Sequence, residues 1–127
     1  MKFVNLTPHE INVQKEDGEI ISFPASGNVA RVEYGVPHAY SGFSIHGIPI
    51  YTSPKVAFLV GVPEFEKDTI FIVSGLVLEY VSAENRDFFC APGTDPKLDP
   101  IRNEKGQISA VRCFVARAFN VIKKESD

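Results

Sequence analysis

Hydrophobic and polar residues alternate in two short stretches near the N-terminus, at residues 11–13 and 21–23. Alternation with a period of two is typical of half-buried β-strands. Between the stretches, Asp17-Gly18 supplies two positions that tolerate positive φ, as a two-residue hairpin turn requires. The pattern therefore predicts a β-hairpin over residues 11–23.

Further strands follow from runs of apolar, β-branched and aromatic residues. Three short runs predict strands at residues 28–34, 55–62 and 87–91. The continuous run 69–73 indicates a strand buried on both faces, in the middle of a sheet. A turn at 103–106 is followed by long alternation over 107–119, which predicts a second hairpin and one long final strand.

One helix is predicted, over residues 75–84, with Ser74 as its N-cap. Four apolar residues would form its buried stripe: Leu76, Val77, Tyr80 and Val81. Residues 35–54 are dense in Gly, Pro, Ser and aromatics and are expected to be rich in loops, with a short strand or two. These elements predict an α+β fold, a mostly antiparallel β-sheet with hairpins and one main helix. The single domain would span residues 1–122, ahead of a charged tail at 123–127.

Composition narrows the classes of function. The chain has 127 residues and 13 basic against 16 acidic side chains, without the cationic cluster that a protein binding duplex nucleic acid needs. The longest apolar run, 56–60, is far too short to cross a membrane, and the N-terminus does not resemble a signal peptide. A cytoplasmic protein is therefore expected. Cys90 and Cys113 are expected to be reduced core residues.

Neither a metal site nor a cofactor is expected. The three histidines, His9, His38 and His46, have no second ligand at metal spacing, and the two cysteines lack a C-x-x-C arrangement. Nucleotide-binding loops and nucleophile motifs are also missing from the sequence. A protein that binds a ligand is therefore favoured over an enzyme.

Two N-terminal features have both a structural and a functional interpretation. Residues 7–10, Thr-Pro-His-Glu, show capping-box spacing, so that Thr7 could close one helical turn while Glu10 returns a hydrogen bond. Alternatively, a rigid turn places His9 against a ligand. Whether Asn5 and His9 serve the fold or a ligand is left open.

Anion recognition is the second candidate chemistry. Ser74 stands where a helix N-terminus could receive a phosphate, although it could simply be an N-cap. Arg86 and Arg102 lie at element junctions and, with Asn85, could clamp a nucleotide that stacks on Phe88 or Phe89. The alternative is that these arginines are exposed or paired with carboxylates.

Several segments resemble a widespread group of small phage and bacterial proteins. They are Val4-Asn5-Leu6-Thr7-Pro8-His9-Glu10-Ile11, Pro24-x-x-Gly27-x-Val29-Ala30-Arg31-Val32, Val73-Ser74, Arg86-Asp87, Pro92-Gly93-Thr94 and Arg102-Asn103-Glu104-x-Gly106. The group resembles in turn the phage anti-Thoeris sponge family. The resemblance implies a homo-oligomer, a dimer or larger and up to a hexamer, that sequesters glycocyclic ADP-ribose without cleaving it. It also permits cyclic oligonucleotide binding.

Residue type and loop position suggest how such a ligand would be held. Asn85, Arg86 and Arg102 would meet its polar groups, and Phe71, Phe88 or Phe89 would form the wall for adenine. Two other functions stay open: a small nucleotide-processing enzyme that uses His9 as general acid or base, and a protein-binding module. The interface of such a module would be the aromatic segment 34–51.

Overall fold

The computed structural model describes residues 1–36, 38–81 and 88–117, and the predicted domain end at 122 and tail at 123–127 lie outside them. The described part contains one α-helix, α1 (Gly75–Tyr80), and twelve strands. The strands are β1 (Lys2–Asn5), β2 (Ile11–Gln14), β3 (Ile20–Phe23), β4 (Arg31–Val36), β5 (Ala39–Ile45), β6 (Ile48–Thr52), β7 (Lys55–Val60), β8 (Thr69–Ile72), β9 (Phe89–Pro92), β10 (Ile101–Arg102), β11 (Ile108–Ala110) and β12 (Phe114–Val115). This is the predicted α+β fold, with mostly antiparallel pairings and one helix.

A four-stranded sheet of order β1-β8-β9-β12 forms the centre of the molecule. All four residues of β8 are buried, and β8 pairs in parallel with β1 on one side and β9 on the other. The prediction of a mid-sheet strand is therefore confirmed. β12 closes the sheet by pairing antiparallel with β9.

The helix follows β8 and leads back to the parallel strand β9. The Ser74 hydroxyl accepts a hydrogen bond from the Val77 amide at 3.2 Å, which confirms the predicted N-cap. The predicted extent is wrong: the helix has six residues, because Val81 is already extended. Two residues of the predicted stripe, Val77 and Val81, are buried together with Leu78, whereas Leu76 and Tyr80 are exposed.

The hairpin predicted over residues 11–23 is present as β2 and β3. The predicted two-residue turn is wrong, because of that pair only Gly18 has positive φ, at 91°. The Gly18 amide donates to the Lys15 carbonyl at 2.9 Å, and the Lys15 amide donates to the Glu19 carbonyl at 2.7 Å. These bonds define a three-residue loop ending in a left-handed Gly. The hairpin turn at Asn103 to Gln107 has the same pattern of bonds.

The predicted long strand over 107–119 is wrong. The chain pairs with β10 as far as Ala110 and with β9 from Phe114, and changes partner between them. At the change of partner, the Arg112 guanidinium donates to the Asp99 carbonyl and to Gln14 Oε1, both at 2.8 Å. A strand that moves from one sheet to another retains its alternating pattern, so alternation alone does not show the break.

Residues 35–54 are also more ordered than predicted. β5 and β6 form a hairpin whose turn residues, His46 and Gly47, both have positive φ, at 52° and 77°. This is the arrangement of a tight type I′ turn. The hairpin continues the ladder of β4 with β7, and β7 confirms the strand predicted at 55–62.

Most of the buried hydrophobic residues form one cluster, built on β8, β9 and α1. A ring of three aromatics, Phe3, Phe23 and Phe114, attaches β1, β3 and β12 to one another with ring centroids 5.2–5.6 Å apart. Within the described residues, no helix has the length and apolar character needed to cross a membrane.

Candidate functional site

Residues 5–9 form a compact turn that is held together by the side chain of Asn5. This residue is 3% exposed. Its amide nitrogen donates to the carbonyls of His9 at 2.8 Å and Phe23 at 2.9 Å. Its amide oxygen accepts from the backbone amide of Thr7 at 2.9 Å and from the Thr7 hydroxyl at 2.7 Å. Asn5 therefore serves the fold, because both polar atoms of its side chain are satisfied internally.

The capping interpretation of Thr7 is wrong. The Thr7 hydroxyl bonds Asn5 and the His9 carbonyl, not the start of a helix, and the segment between β1 and β2 contains no helical turn. Asn5 forms an Asx turn with Thr7, which competes with helix formation at this point. The consequence is that His9 is held by its backbone while its imidazole stays exposed.

The His9 side chain lines an open groove of about 270 Å³ between the start of β2, the end of β9 and β11. We call this the His9 groove. Its apolar lining is contributed by Ile11, Pro92, Ile108, Ala110 and Val111, and its polar lining by His9, Glu10, Asn12, Thr94 and Ser109. Apolar walls with a few polar groups are typical of small-molecule sites.

Direct hydrogen bonds between distant segments fix the shape of the groove. The Val111 amide donates to the Asn12 carbonyl at 2.9 Å, and the Gln14 amide donates to the Val111 carbonyl at 2.8 Å. These bonds set the chain after β11 parallel to β2. On the far side, the Gly93 amide donates to the Cys113 carbonyl at 2.9 Å, which fixes the loop that carries Pro92 and Thr94.

Arg102 lies next to this groove, because it pairs in register with Ile108 across β10 and β11. One of its terminal nitrogens donates to the Gly106 carbonyl at 2.8 Å, within its own hairpin turn. The guanidinium has five N–H donors, so this bond leaves others for a ligand. Among the described lining residues of the His9 groove there is neither Lys nor Arg, so Arg102 is a cation of a neighbouring strand and not of the lining itself.

The predicted aromatic wall lies in the core. Phe71, Phe88 and Phe89 are 3%, 5% and 0% exposed and pack on one another with centroids 5.1–6.4 Å apart. Phe65 covers Phe88 edge-on, at 5.1 Å. Stacking on a ligand requires a free ring face, and Phe88 and Phe89 stabilise the core instead.

Phe71 reaches the edge of a second, mostly apolar groove of about 490 Å³. The other lining residues include Val4, Leu6 and Glu66. The Glu66 carboxylate pairs with Lys2 at 3.2 Å, and a phosphate placed beside it would be repelled. The His9 groove is lined by a carboxylate too, that of Glu10, so the two grooves do not differ in this respect.

The remaining predicted site residues are not brought together. Ser74 caps a six-residue helix with its own hydroxyl. Asn85 and Arg86 lie outside the described residues. Of the eight residues predicted from sequence, the structure thus places His9 in the groove and Arg102 on the neighbouring strand.

Among the described residues, the side chains that could serve as a nucleophilic thiol or as metal ligands do not form a reactive site. Burial raises the pKa of the Cys90 thiol to about 12, which makes it a poor nucleophile at neutral pH. Cys113 is partly buried, and both cysteines are free. In the part of the chain that the structure describes, no cluster of His, Cys, Asp and Glu could hold a metal ion.

Sequence reasoning missed the polar groove residues Asn12, Thr94 and Ser109. Asn12 precedes Thr94 and Ser109 by more than 80 positions, and it adjoins them because the chain after β11 lies against β2. Comparison of the chain with models of known protein families, with curated protein sequences and with solved structures found no match.

Proposed function

We propose that this protein binds a nucleotide signal of the cyclic ADP-ribose class in the His9 groove and holds it without cleaving it. The observation that carries the proposal is that three separate segments of the sequence meet at this groove. Residues 4–11, Pro92-Gly93-Thr94 and the closing hairpin are three of the segments that resemble the anti-Thoeris sponge family, and all three adjoin this groove.

The chemistry of the groove supports such a ligand. The apolar side chains of Ile11, Ile108 and Val111 suit a base, while Asn12, Thr94 and Ser109 offer hydrogen bonds for a ribose. At about 270 Å³, the groove lies just below the size of pockets that enclose a drug-sized ligand, so it would hold one half of the molecule. Arg102 is the cation placed to meet the pyrophosphate.

The wider proposal is phage counter-defence. The protein would act in the host cytoplasm as a homo-oligomer, from dimer to hexamer, and take up the signal before it activates a suicide effector. It would need no cofactor. Asn85 and Arg86 remain predicted ligand contacts, and cyclic oligonucleotides remain predicted second ligands.

Isothermal titration with glycocyclic ADP-ribose isomers tests the proposal directly. We expect saturable binding, and intact ligand recovered by mass spectrometry after the protein is denatured. His9→Ala and Arg102→Ala should each weaken binding at least about tenfold, a loss of about 1.4 kcal/mol, with little change in melting temperature. The control is His46→Asn, which removes an exposed imidazole from the turn between β5 and β6, and asparagine tolerates the positive φ of this position. Absence of binding to every isomer tested would refute the proposal.

A second candidate is a small nucleotide-processing enzyme. It is favoured by one observation: the His9 imidazole and the Glu10 carboxylate both line the groove, where an acid and a base could act on one ligand. If the protein is such an enzyme, mass spectrometry of the recovered ligand should show a cleaved product. This function also requires that His9→Ala abolishes turnover while the melting temperature is retained.

A further inference from the structure

Four strands form two antiparallel ladders, which we together call the ribbon. The ladder of β4 with β7 runs from Arg31 opposite Val60 to Val36 opposite Lys55, and the ladder of β5 with β6 runs from Ala39 opposite Thr52 to the turn at His46 and Gly47. At the junction, the Thr52 hydroxyl donates to the Ala39 carbonyl at 3.2 Å. With about 3.3 Å per residue, the ribbon is roughly 45 Å long, whereas a compact domain of this size has a radius of gyration of about 14 Å. We call its outer part, residues 34–58, the arm.

The arm is attached to the core only at its base. Val32 and Leu59 pack against the core cluster, just below the arm. Residues 39–52, all of which the structure describes, include no buried residue. A two-stranded hairpin is at best marginally stable in water when nothing packs on it. The arm therefore needs a surface to cover it.

Both faces of the arm tip are apolar. Ile45 lies opposite Ile48 in register, and Ile50 shares their face by alternation along β6. Tyr40 lies opposite Tyr51 on the other face, with ring centroids 5.7 Å apart. Apart from the partly exposed Ile50, each of these side chains is more than half exposed. Neither face of the arm tip is covered by the protein's own core.

The amount of exposed apolar surface approaches what a stable interface uses. Five aromatic side chains of the arm are between 51% and 59% exposed: Tyr34, Tyr40, Phe43, Tyr51 and Phe58. An aromatic side chain buries about 150–250 Å² in total, so these five expose roughly 400–700 Å² over the two faces of the arm. Ile45 and Ile48 add to this area. A standard interface buries about 800 Å² on each partner.

The charge pattern of the arm indicates the kind of partner. From residue 34 to residue 54 there is no Asp, Glu, Lys or Arg, in a chain that is 23% charged overall. A nucleic acid or an acidic headgroup would require cations on this surface, and a charged protein partner would require opposite charges. The surface that matches this uncharged aromatic stretch of the arm is the same stretch of another copy.

The edges of the arm indicate how two copies would meet. Pro49 lacks an N–H, and the ladder is interrupted between Tyr40 and Ser44 and again near Tyr34. Proline and bulges are the means by which proteins prevent strands from pairing edge to edge. We infer that the arm is a self-association surface, on which the arm of a second copy of this chain packs face to face through the isoleucine side chains of the tip.

Sedimentation velocity of the full chain, without any nucleotide, tests this inference. We expect the wild type to be a dimer or larger at micromolar concentration. Phe43→Glu and Ile48→Glu should each shift it to a monomer, because each buries a carboxylate in the apolar interface. The matched control is Ile20→Glu on β3, where the isoleucine is 56% exposed against 62% for Ile48. The control should assemble as the wild type does.

The inference does not depend on the proposed function, since assembly is measured without ligand, and ligand titration of the monomeric variants reports on the groove separately. Far-ultraviolet circular dichroism and melting temperature should be unchanged in both arm variants. A wild type that stays monomeric to millimolar concentration would overturn the inference. So would a monomeric wild type that binds phosphatidylcholine vesicles through the arm, which would make the occupant a lipid surface. Assembly that survives both glutamate substitutions would also overturn it.

Discussion

The strands of the central sheet are shorter than those of the arm, yet the sheet is the part that is stabilised by burial. β8 has four residues, all of them buried between two parallel neighbours. β5 has seven residues and none of them is buried. Strand formation in this protein is therefore not a measure of stability, because the sheet is held by burial within the chain and the arm has only its own ladder.

Replacement of Asn5 should have the largest effect on the sheet side of this comparison. Asn5→Ala would leave the Phe23 carbonyl and the Thr7 backbone amide without their partners at 2.9 Å. Each unsatisfied buried group costs about 1–3 kcal/mol, so we expect the free energy of unfolding to fall by about 3–5 kcal/mol. Urea denaturation measures the loss. Asn28→Ala, at an exposed asparagine, should cost under about 0.5 kcal/mol. Similar losses for both would mean that the network is not what stabilises this turn.

Alanine substitutions at three glycines should change the stability of the protein by graded amounts. A Cβ on Gly61 would lie 2.3 Å from the Val29 carbonyl oxygen, at φ 76°, so Gly61→Ala should cost roughly 3 kcal/mol. Gly27→Ala has φ 97° but open space, and should cost about 1 kcal/mol. Gly75→Ala, at the start of α1 with open space, should gain up to about 0.5 kcal/mol. Thermal melts measure the three changes in stability. A larger loss for Gly27→Ala than for Gly61→Ala would contradict the close approach of Gly61 to Val29.

Alkaline pH should weaken the core through Cys90. Burial raises the pKa of its thiol from 9.0 to about 12, so between these values the unfolded chain releases a proton that the folded chain retains. The stability that the protonated Cys90 thiol contributes is therefore fully present below pH 9. Above pH 9 the free energy of unfolding falls, by up to about 1.4 kcal/mol per pH unit. Stability of Cys90→Ala should therefore fall less steeply above pH 9. In the native protein, iodoacetamide should label Cys113 before Cys90, and equal rates would show that the core opens easily.

Arm substitutions should have the smallest effect on the protomer. Ile48 is 62% exposed and does not belong to the core cluster, so Ile48→Ser should change the stability of the dilute, monomeric protein by under about 0.5 kcal/mol. Chemical denaturation at nanomolar concentration, followed by fluorescence, checks this. A loss above 2 kcal/mol would indicate that the arm packs on its own chain.

The sequence predicted the parts of the fold that depend on local pattern. The buried run 69–73, the Ser74 cap and the hairpin at residues 11–23 are read from neighbouring residues, and the structure confirms them. The break after Ala110 could not be predicted, because Phe114 and Ile108 continue one alternation while pairing with different sheets. The type I′ turn at His46 was hidden by a non-glycine residue at positive φ.

The site was less accessible to sequence reasoning than the fold. His9 was identified because it follows a turn motif, but Thr94 and Ser109 join it only through the pairing of Val111 with β2. Phe88 and Phe89 were expected to stack on a ligand, since aromatics beside a junction arginine suit that purpose. A sequence does not distinguish an aromatic ring that faces a ligand from one that fills a core, and these two rings are buried.

Amide hydrogen exchange at two protein concentrations tests the contrast between sheet and arm most directly. We expect the amides of β8 to be protected equally in dilute and concentrated samples, because the core of one chain protects them. The amides of β5 and β6 should exchange rapidly in the dilute monomer and slowly when copies associate. Arm amides that are as protected as those of β8 at every concentration, or equally unprotected in both samples, would contradict this account.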